Sequence, residues 1–418
     1  MKKRILFAPN QAGLAHIIRS LAVAEEINQN FEIYFVLDKR KAKIVSLPKS
    51  IKKIFVDEKM SDNKEGVIDA LANTLNKKFF KEYVETYKNI IHHIKPNLIV
   101  SDANMYVWFA ALVSNIPYLV VTNSIIFPSR AGVIGIKPQG LFQRLFGLTV
   151  SIVGNLWIIS FYKVNLYQLR QNFKVSTPSF KRFLKEKVFI IPEFENYNNL
   201  RKITPNFNFV GPIINQSFEG RDKQWEEKIK QRIGNKKTIY LTFGGTGFAQ
   251  DLFENLIKNL LKLGFFVIAS TGTSIIKEEI KIKNENLILE KFISGMSASY
   301  LADVIVSHGS YGTITQAILS GKPIVCIPFN IDQVFHSERA ELLGIGFSTF
   351  KWSLRNWIGD SKSIHYDAEN ANVDLITNKV KELIDNFKYS SAVKKIQHNV
   401  NLENGAKKSA RIIENYLV

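Results

Sequence analysis

Short apolar runs alternate with helically spaced ones through the first half of the chain. "RILFAPN" is followed by the helical pattern of "IIRSLAVAEEI" and then by "FEIYFVLD"; further on, "PNLIVSD", "VWFAALVSN" and "PYLVVTNS" repeat the order. Strand, helix and strand in alternation predict a parallel, doubly wound α/β sheet. The rhythm returns in the second half, from "KTIYLTFGG" through "LFENLIKNLLKLG" and "FFVIASTG" to "LILEKF", "ADVIVSHG" and "KPIVCIPF".

At 418 residues the chain exceeds one ordinary core, so the two halves are expected to be two Rossmann-like domains in series. Between them, "NFNFVGPIINQS" (206–217) carries Pro, Gly and polar residues after an extended run, the composition of an interdomain linker. The expected division is an N-terminal domain over 1–210, a linker over 211–217 and a C-terminal domain over 218–418. The last helical pattern, ending "ARIIENYLV", could pack on either domain.

Hydrophobic residues at 46% and charged residues at 22% exclude disordered, collagen-like and coiled-coil classes. Cys326 is the single cysteine and lies in an apolar run. That excludes an internal disulfide and a cysteine-built metal site, and it fits a reducing, cytoplasmic setting. The start "MKKRILFAPNQAG" is basic, but Pro9, Asn10 and Gln11 break its apolar run short of a secretory core.

The net charge of +19 is unevenly spread: residues 1–215 hold 30 Lys and Arg against 15 Asp and Glu, and the remainder holds 26 against 22. No acidic residue occurs from Ala103 to Lys185, where nine basic ones do. A Lys-rich solvated face and an anionic membrane surface both account for this balance. Nucleic acid is not expected as a partner, since no helix-turn-helix, zinc-finger or RNP pattern occurs. Within the acid-free stretch, "LFGLTVSIVGNLWIISFY" (145–162) is an uncharged run of 18 residues between Arg144 and Lys163. It reads first as a buried core helix, next as a membrane-touching or acceptor-binding segment, and last as a full span.

The stretch "VSHGSYGTITQA" (306–317) places a histidine and small residues where a strand hands over to a helix. In an open α/β sheet, ligands sit beyond the carboxyl ends of the strands. Gly309 and Gly312 let the backbone come close to a ligand, and Thr313 stands at a helix start whose free amides suit a phosphate. His308 can add a hydrogen bond or a positive charge. The stretch is neither a GK[ST] P-loop nor a GxGxxG after the first strand.

The longer run "VSHGSYGTITQAILSGKPIVCIPFNIDQVFHSERAELLGIG" resembles the donor-binding signature of GT-B glycosyltransferases of the UDP-glycosyltransferase kind. That signature has HGG, a Ser or Thr, Glu or Gln with Ala, G-x-P, a Pro-ended strand and Asp-Gln. "FVGPI" is similar to the family's interdomain segment, "YLTFGGTG" to its first C-domain strand and phosphate-side loop, and "EKFISGMSASYLADV" to the loop that meets the base. "GLAHIIRSLAVAEEI" and "NLIVSDANMYVWFAALVSNIPYLVVTNS" resemble its first helix and its Asp-bearing strand. The resemblance spans most of the chain. It implies two Rossmann-like domains facing across a cleft, the second holding a nucleotide sugar, expected to be a UDP-sugar.

Position by position, the resemblance implies that His308, Gly309, Gly312 and Thr313 meet the donor diphosphate, with Gly245 and Thr246 bordering it from the other loop. Phe292 and Ile293 would border the base, and Asp332 and Gln333 would bond hydroxyls of the sugar. Gln316 stands where many members have a Glu on the ribose hydroxyls; its amide donates and accepts, but without charge assistance. Ser310 replaces the second Gly of HGG.

His16 follows the first strand and Asp102 ends a later strand of the same sheet, which puts both at one sheet edge. They match a general base for an acceptor hydroxyl and the carboxylate that orients it. Ala15 stands where Gly usually precedes this histidine, and Arg19 where many members have Pro and others Arg. With the helix start and His308 assisting departure of the diphosphate, no metal or other cofactor is expected. The expected reaction is inverting transfer to a lipid or lipid-linked acceptor by a peripheral enzyme on the cytoplasmic face. Two alternatives stand beside it: a GT-B-fold epimerase or hydrolase acting on the nucleotide sugar, and a non-catalytic nucleotide-sugar-binding subunit, which would have no need of His16 and Asp102.

Overall fold

The computed structural model describes residues 2–11, 14–56, 77–124, 160, 162–179, 182, 187–195, 197, 206–245, 247–351, 361–400 and 404–417. Their strands form two all-parallel sheets. The first contains β1 (Arg4–Phe7), β2 (Glu32–Asp38), β3 (Ile51–Val56), β4 (Leu98–Asp102), β5 (Tyr118–Val121), β6 (Phe189–Ile191) and β7 (Phe207–Phe209), in the order β3-β2-β1-β4-β5-β6-β7. The second contains β8 (Thr238–Thr242), β9 (Phe266–Ser270), β10 (Leu287–Glu290), β11 (Val304–Ser307), β12 (Ile324–Cys326) and β13 (Gly346–Ser348), in the order β10-β9-β8-β11-β12-β13. Both are doubly wound, as the rhythm of the sequence implies.

Continuous apolar runs make this possible. Every residue of β4, β5, β8 and β9 is buried, as a parallel sheet covered on both faces requires. Ile5 of β1 lies opposite Ile33 of β2 and Leu98 of β4. Ile239 of β8 lies opposite Val267 of β9 and Val304 of β11. The order in which successive strands are added reverses at each of these parallel central pairs, so β1/β4 and β8/β11 are the topological switch points at which such sheets bind ligands.

The described residues up to Asn215 together with the helix Gly405–Leu417 form one unit, and residues 216–400 form the other. In the first, Phe80, Val84 and Tyr87 of helix Lys77–Ile94 and Val107 and Phe109 of helix Met105–Ser114 pack over Leu6 and Ile99. Truncating a fully buried aromatic such as Phe109 would cost about 3–5 kcal/mol. In the second, the helix Gln250–Lys262 drives Leu252, Phe253, Leu256, Ile257 and Leu260 into the core. The closing helix lies with the first unit, where Asn30 Nδ2 donates to Glu414 Oε1 at 2.9 Å.

The extended run ahead of the Gly-Pro segment is β7, at the edge of the first sheet. The apolar run 145–162 falls outside the described residues except Ser160 and Tyr162, and Tyr162 is buried in the first unit's core. Among the described residues, no helix is long and apolar enough to cross a membrane.

Candidate active site

At the first switch point, the loop after β1 runs beside the end of β4. Ala8 N donates to Val100 O at 2.9 Å and Asn10 N to Asp102 O at 2.8 Å. Immediately after Asp102 the backbone turns sharply, with Ala103 at φ 49°, a left-handed conformation costing about 1–2 kcal/mol for a residue with a Cβ. Asn10 Nδ2 holds that turn through the Ala103 carbonyl at 3.1 Å. Strain kept beside a polar cluster fits a site that needs the geometry.

His16 Nδ1 lies 2.8 Å from Asp102 Oδ1. Arg19 Nε donates to Asp102 Oδ2 at 2.7 Å, its Nη2 to Oδ1, and its Nη1 to Asn123 Oδ1 at 2.9 Å. The Asp102 side chain is fully buried, while that of His16 is 32% exposed. Burial pushes the Asp102 carboxyl up, but the charges of Arg19 and His16 and their hydrogen bonds outweigh it and hold it below the usual carboxylate range. An ionised carboxylate only accepts, so His16 Nδ1 carries the proton towards Asp102. In the neutral ring, Nε2 is then the basic nitrogen.

At the second switch point, β11 leads into His308 and β8 leads towards Gly244. The two touch: a Cβ at Gly244, where φ is +62°, would lie 2.8 Å from His308 Cε1. Gly309, at φ +76°, also admits no side chain, since a Cβ would lie 2.0 Å from Ser337 Oγ. His308 is buried, and its Nδ1 has no hydrogen-bond partner among the described residues. Burial lowers its imidazole to about 4, against a hydrogen bond with the Thr242 backbone and the charge of Asp332. At neutral pH the ring is therefore uncharged, and it offers a hydrogen bond rather than a positive charge.

The helix Tyr311–Ser320 starts directly after this loop, and its N-cap Ser310 makes no side-chain cap. Its hydroxyl instead lies 3.1 Å from that of Thr313. The first-turn amides thus keep the anion-binding character of a helix start. Gln316, further along, packs its amide against Gly295. Phe292 is 58% exposed and, with Ile293, borders a cavity of about 730 Å³ that is also lined by Gln216, Arg221 and Gln224.

No family model matches the chain. It is 24% identical over 360 residues to "PGL/p-HBAD biosynthesis glycosyltransferase" of Mycobacterium tuberculosis, covering 82% of this chain and 80% of that protein. The crystal structure of the glycotransferase of kitacinnamycin superposes with TM-score 0.69 at 15% identity, over 99% of this chain and 98% of that one. The glycosyltransferase VinC, solved in complex with DTDP, gives TM-score 0.62 at 14% identity, over 98% of each chain. The chain has the GT-B fold of these glycosyltransferases and is similar to them in sequence over most of its length.

His16 meets Asp102 at the first switch point and His308 meets the Gly244 loop at the second; the other sequence-expected residues do not all present their side chains alike. Asp332 is 56% exposed at its side chain, with His336 Nε2 3.6 Å away. Gln333 is buried, and its Oε1 accepts from the Phe329 amide at 2.7 Å, which commits that oxygen to the turn before helix Ile331–Leu342. Gly245 follows Gly244 in the β8 loop; Thr246 lies outside the described residues. Two elements went unread. The polar loop Thr271–Ser274 after β9 supports the β8 loop, with Ser274 Oγ donating to Gly244 O at 2.9 Å. Asn123, after β5, fixes Arg19. Its only signal was its place after a strand of the same sheet.

Proposed function

We propose that this glycosyltransferase moves a sugar from a nucleoside diphosphate sugar, a UDP-sugar first, to a hydroxyl of a lipid or lipid-linked acceptor, with inversion and without a metal. The observation that carries the reading is the hydrogen-bonded pair His16–Asp102 at the β1/β4 switch point. His16 Nε2 would take the acceptor proton as the acceptor oxygen forms its bond to the anomeric carbon. The bond from that carbon to the diphosphate breaks on the opposite face, so the configuration inverts. Asp102, already ionised, stabilises the imidazolium that results.

The leaving diphosphate gains negative charge as it departs. The amides at the start of helix Tyr311–Ser320, the Thr313 hydroxyl and His308 are arranged to receive it. This distribution supports metal independence, since the charge meets fixed dipoles. The basic balance of residues 1–215 supports an acceptor at an anionic membrane surface on the cytoplasmic face. The name of the M. tuberculosis relative, with its PGL and p-HBAD biosynthesis, is compatible with that acceptor class.

A screen of nucleotide sugars for thermal stabilisation tests the donor, because a ligand that binds the native state raises its melting point by mass action. The proton NMR coupling of the anomeric centre in the product then tests inversion. A UDP-sugar that stabilises and gives the inverted product is expected; a retained configuration would remove the mechanism.

A further inference from the structure

The first unit carries a basic surface with apolar points that neither sheet nor core explains. From Lys39 to Val56 the chain has seven Lys and Arg and no Asp or Glu. This segment is the turn after β2, a short 3-10 helix at Lys41–Lys43, and the edge strand β3. Arg40 pairs with Asp38 and Lys52 with Glu32. Lys41, Lys43, Lys49 and Lys53 make no ion pair among the described residues, and Lys43, Lys49 and Lys53 are exposed. Among them stand Phe55, 50% exposed, and Ile44, 49% exposed.

Lysines on an edge strand discourage edge-to-edge pairing, which accounts for Lys52 and Lys53. It does not account for the charges of the 3-10 turn. Nor does it account for two half-exposed apolar side chains, which a protected edge would avoid. Basic residues around protruding apolar ones instead match the interface of an anionic bilayer, where charge attracts and apolar side chains enter the headgroup boundary.

Position supports this. Phe55 lies opposite Leu37 near the end of β2, at the same carboxyl edge of the sheet as Asp102. β3 is two strands from β1, about 10 Å at ordinary strand spacing. A surface there would bring the His16 edge close to a hydroxyl carried on a lipid.

We propose that the 3-10 turn and the carboxyl half of β3, through Lys41, Lys43, Lys53, Ile44 and Phe55, dock this glycosyltransferase on an anionic lipid surface. The inference rests on the lipid-acceptor reading and gives it a place on the molecule.

Sedimentation with vesicles of phosphatidylcholine alone, or with a third phosphatidylglycerol, tests it. The wild-type chain should bind the anionic vesicles at low salt and not the neutral ones. Lys43→Glu with Lys53→Glu should lower partitioning by at least about fivefold per lysine. Ile44→Ser with Phe55→Ser should remove the part that survives high salt. All are surface changes, so an unchanged melting point shows the variants are folded. Wild-type partitioning in both variants would overturn the docking surface while leaving the acceptor reading standing. Full displacement by single-stranded RNA, with the apolar variant unaffected, would make the patch a polyanion site and overturn it too. Equal transfer to a soluble acceptor with and without vesicles would sink the acceptor reading instead, and is scored separately from vesicle binding.

Discussion

The guanidinium of Arg19 grips both oxygens of the Asp102 carboxylate, with Nε at 2.7 Å from Oδ2 and Nη2 on Oδ1. Asp102 is thus held between a permanent cation and the His16 ring. Its charge is balanced before any proton moves, and in the proposed reaction it would orient His16 as well as stabilise the imidazolium.

Removing that cation should be costly. Arg19→Met leaves a fully buried carboxylate with only His16 and a long contact from the Ser20 hydroxyl beside it, and breaking a buried pair in this way costs about 3–5 kcal/mol. Urea unfolding measures the loss. Arg19→Lys keeps the charge but not the two-pronged geometry, so its loss should be smaller.

The two switch points should contribute to different parts of the acid stability profile. His308 is lowered to about 4, so the unfolded chain binds its proton first as pH falls. Its contribution is full above about 6.5 and is lost between there and about 4, at most on the order of 3 kcal/mol. Asp102 is also held low, but from the ordinary carboxylate value. Its contribution is full above about 4 and is lost only as pH falls further. Unfolding free energy measured from pH 7 to pH 3 should therefore decline in two stages, and His308→Gln should flatten the upper one.

Gly244 sets the position of His308. Gly244→Ala would press a methyl group into the imidazole, 2.8 Å from Cε1, on a backbone that already disfavours a side chain. Affinity for the nucleoside diphosphate should fall by at least about tenfold, comparable to His308→Ala, where one lost hydrogen bond is worth about 1–3 kcal/mol. Calorimetric titration of both variants checks this; a Gly244→Ala variant that binds like wild type would separate the loop from the ligand.

The sheets were legible because their strands are buried on both faces and so read as unbroken apolar runs. The pairing of His16 with Asp102 was legible too, though 86 residues apart, since each follows or ends a central strand. The edge strand β3 was not, because it carries Lys52 and Lys53 in its middle. Arg19 was noticed only as a departure from a motif, because its partners Asp102 and Asn123 come from β4 and the segment after β5. The inward turn of Gln333 left no trace, since a capping glutamine and a ligand-binding one look the same in sequence.

The central claim is that His16 is the base of sugar transfer, and the most direct measurement is single turnover of His16→Ala with a saturating donor and acceptor. The rate should fall about a hundredfold or more, while calorimetric donor affinity stays at the wild-type value, because the residues proposed to hold the donor lie in the other unit. A variant that transfers at the wild-type rate would contradict the account and make the His16–Asp102 pair a structural contact.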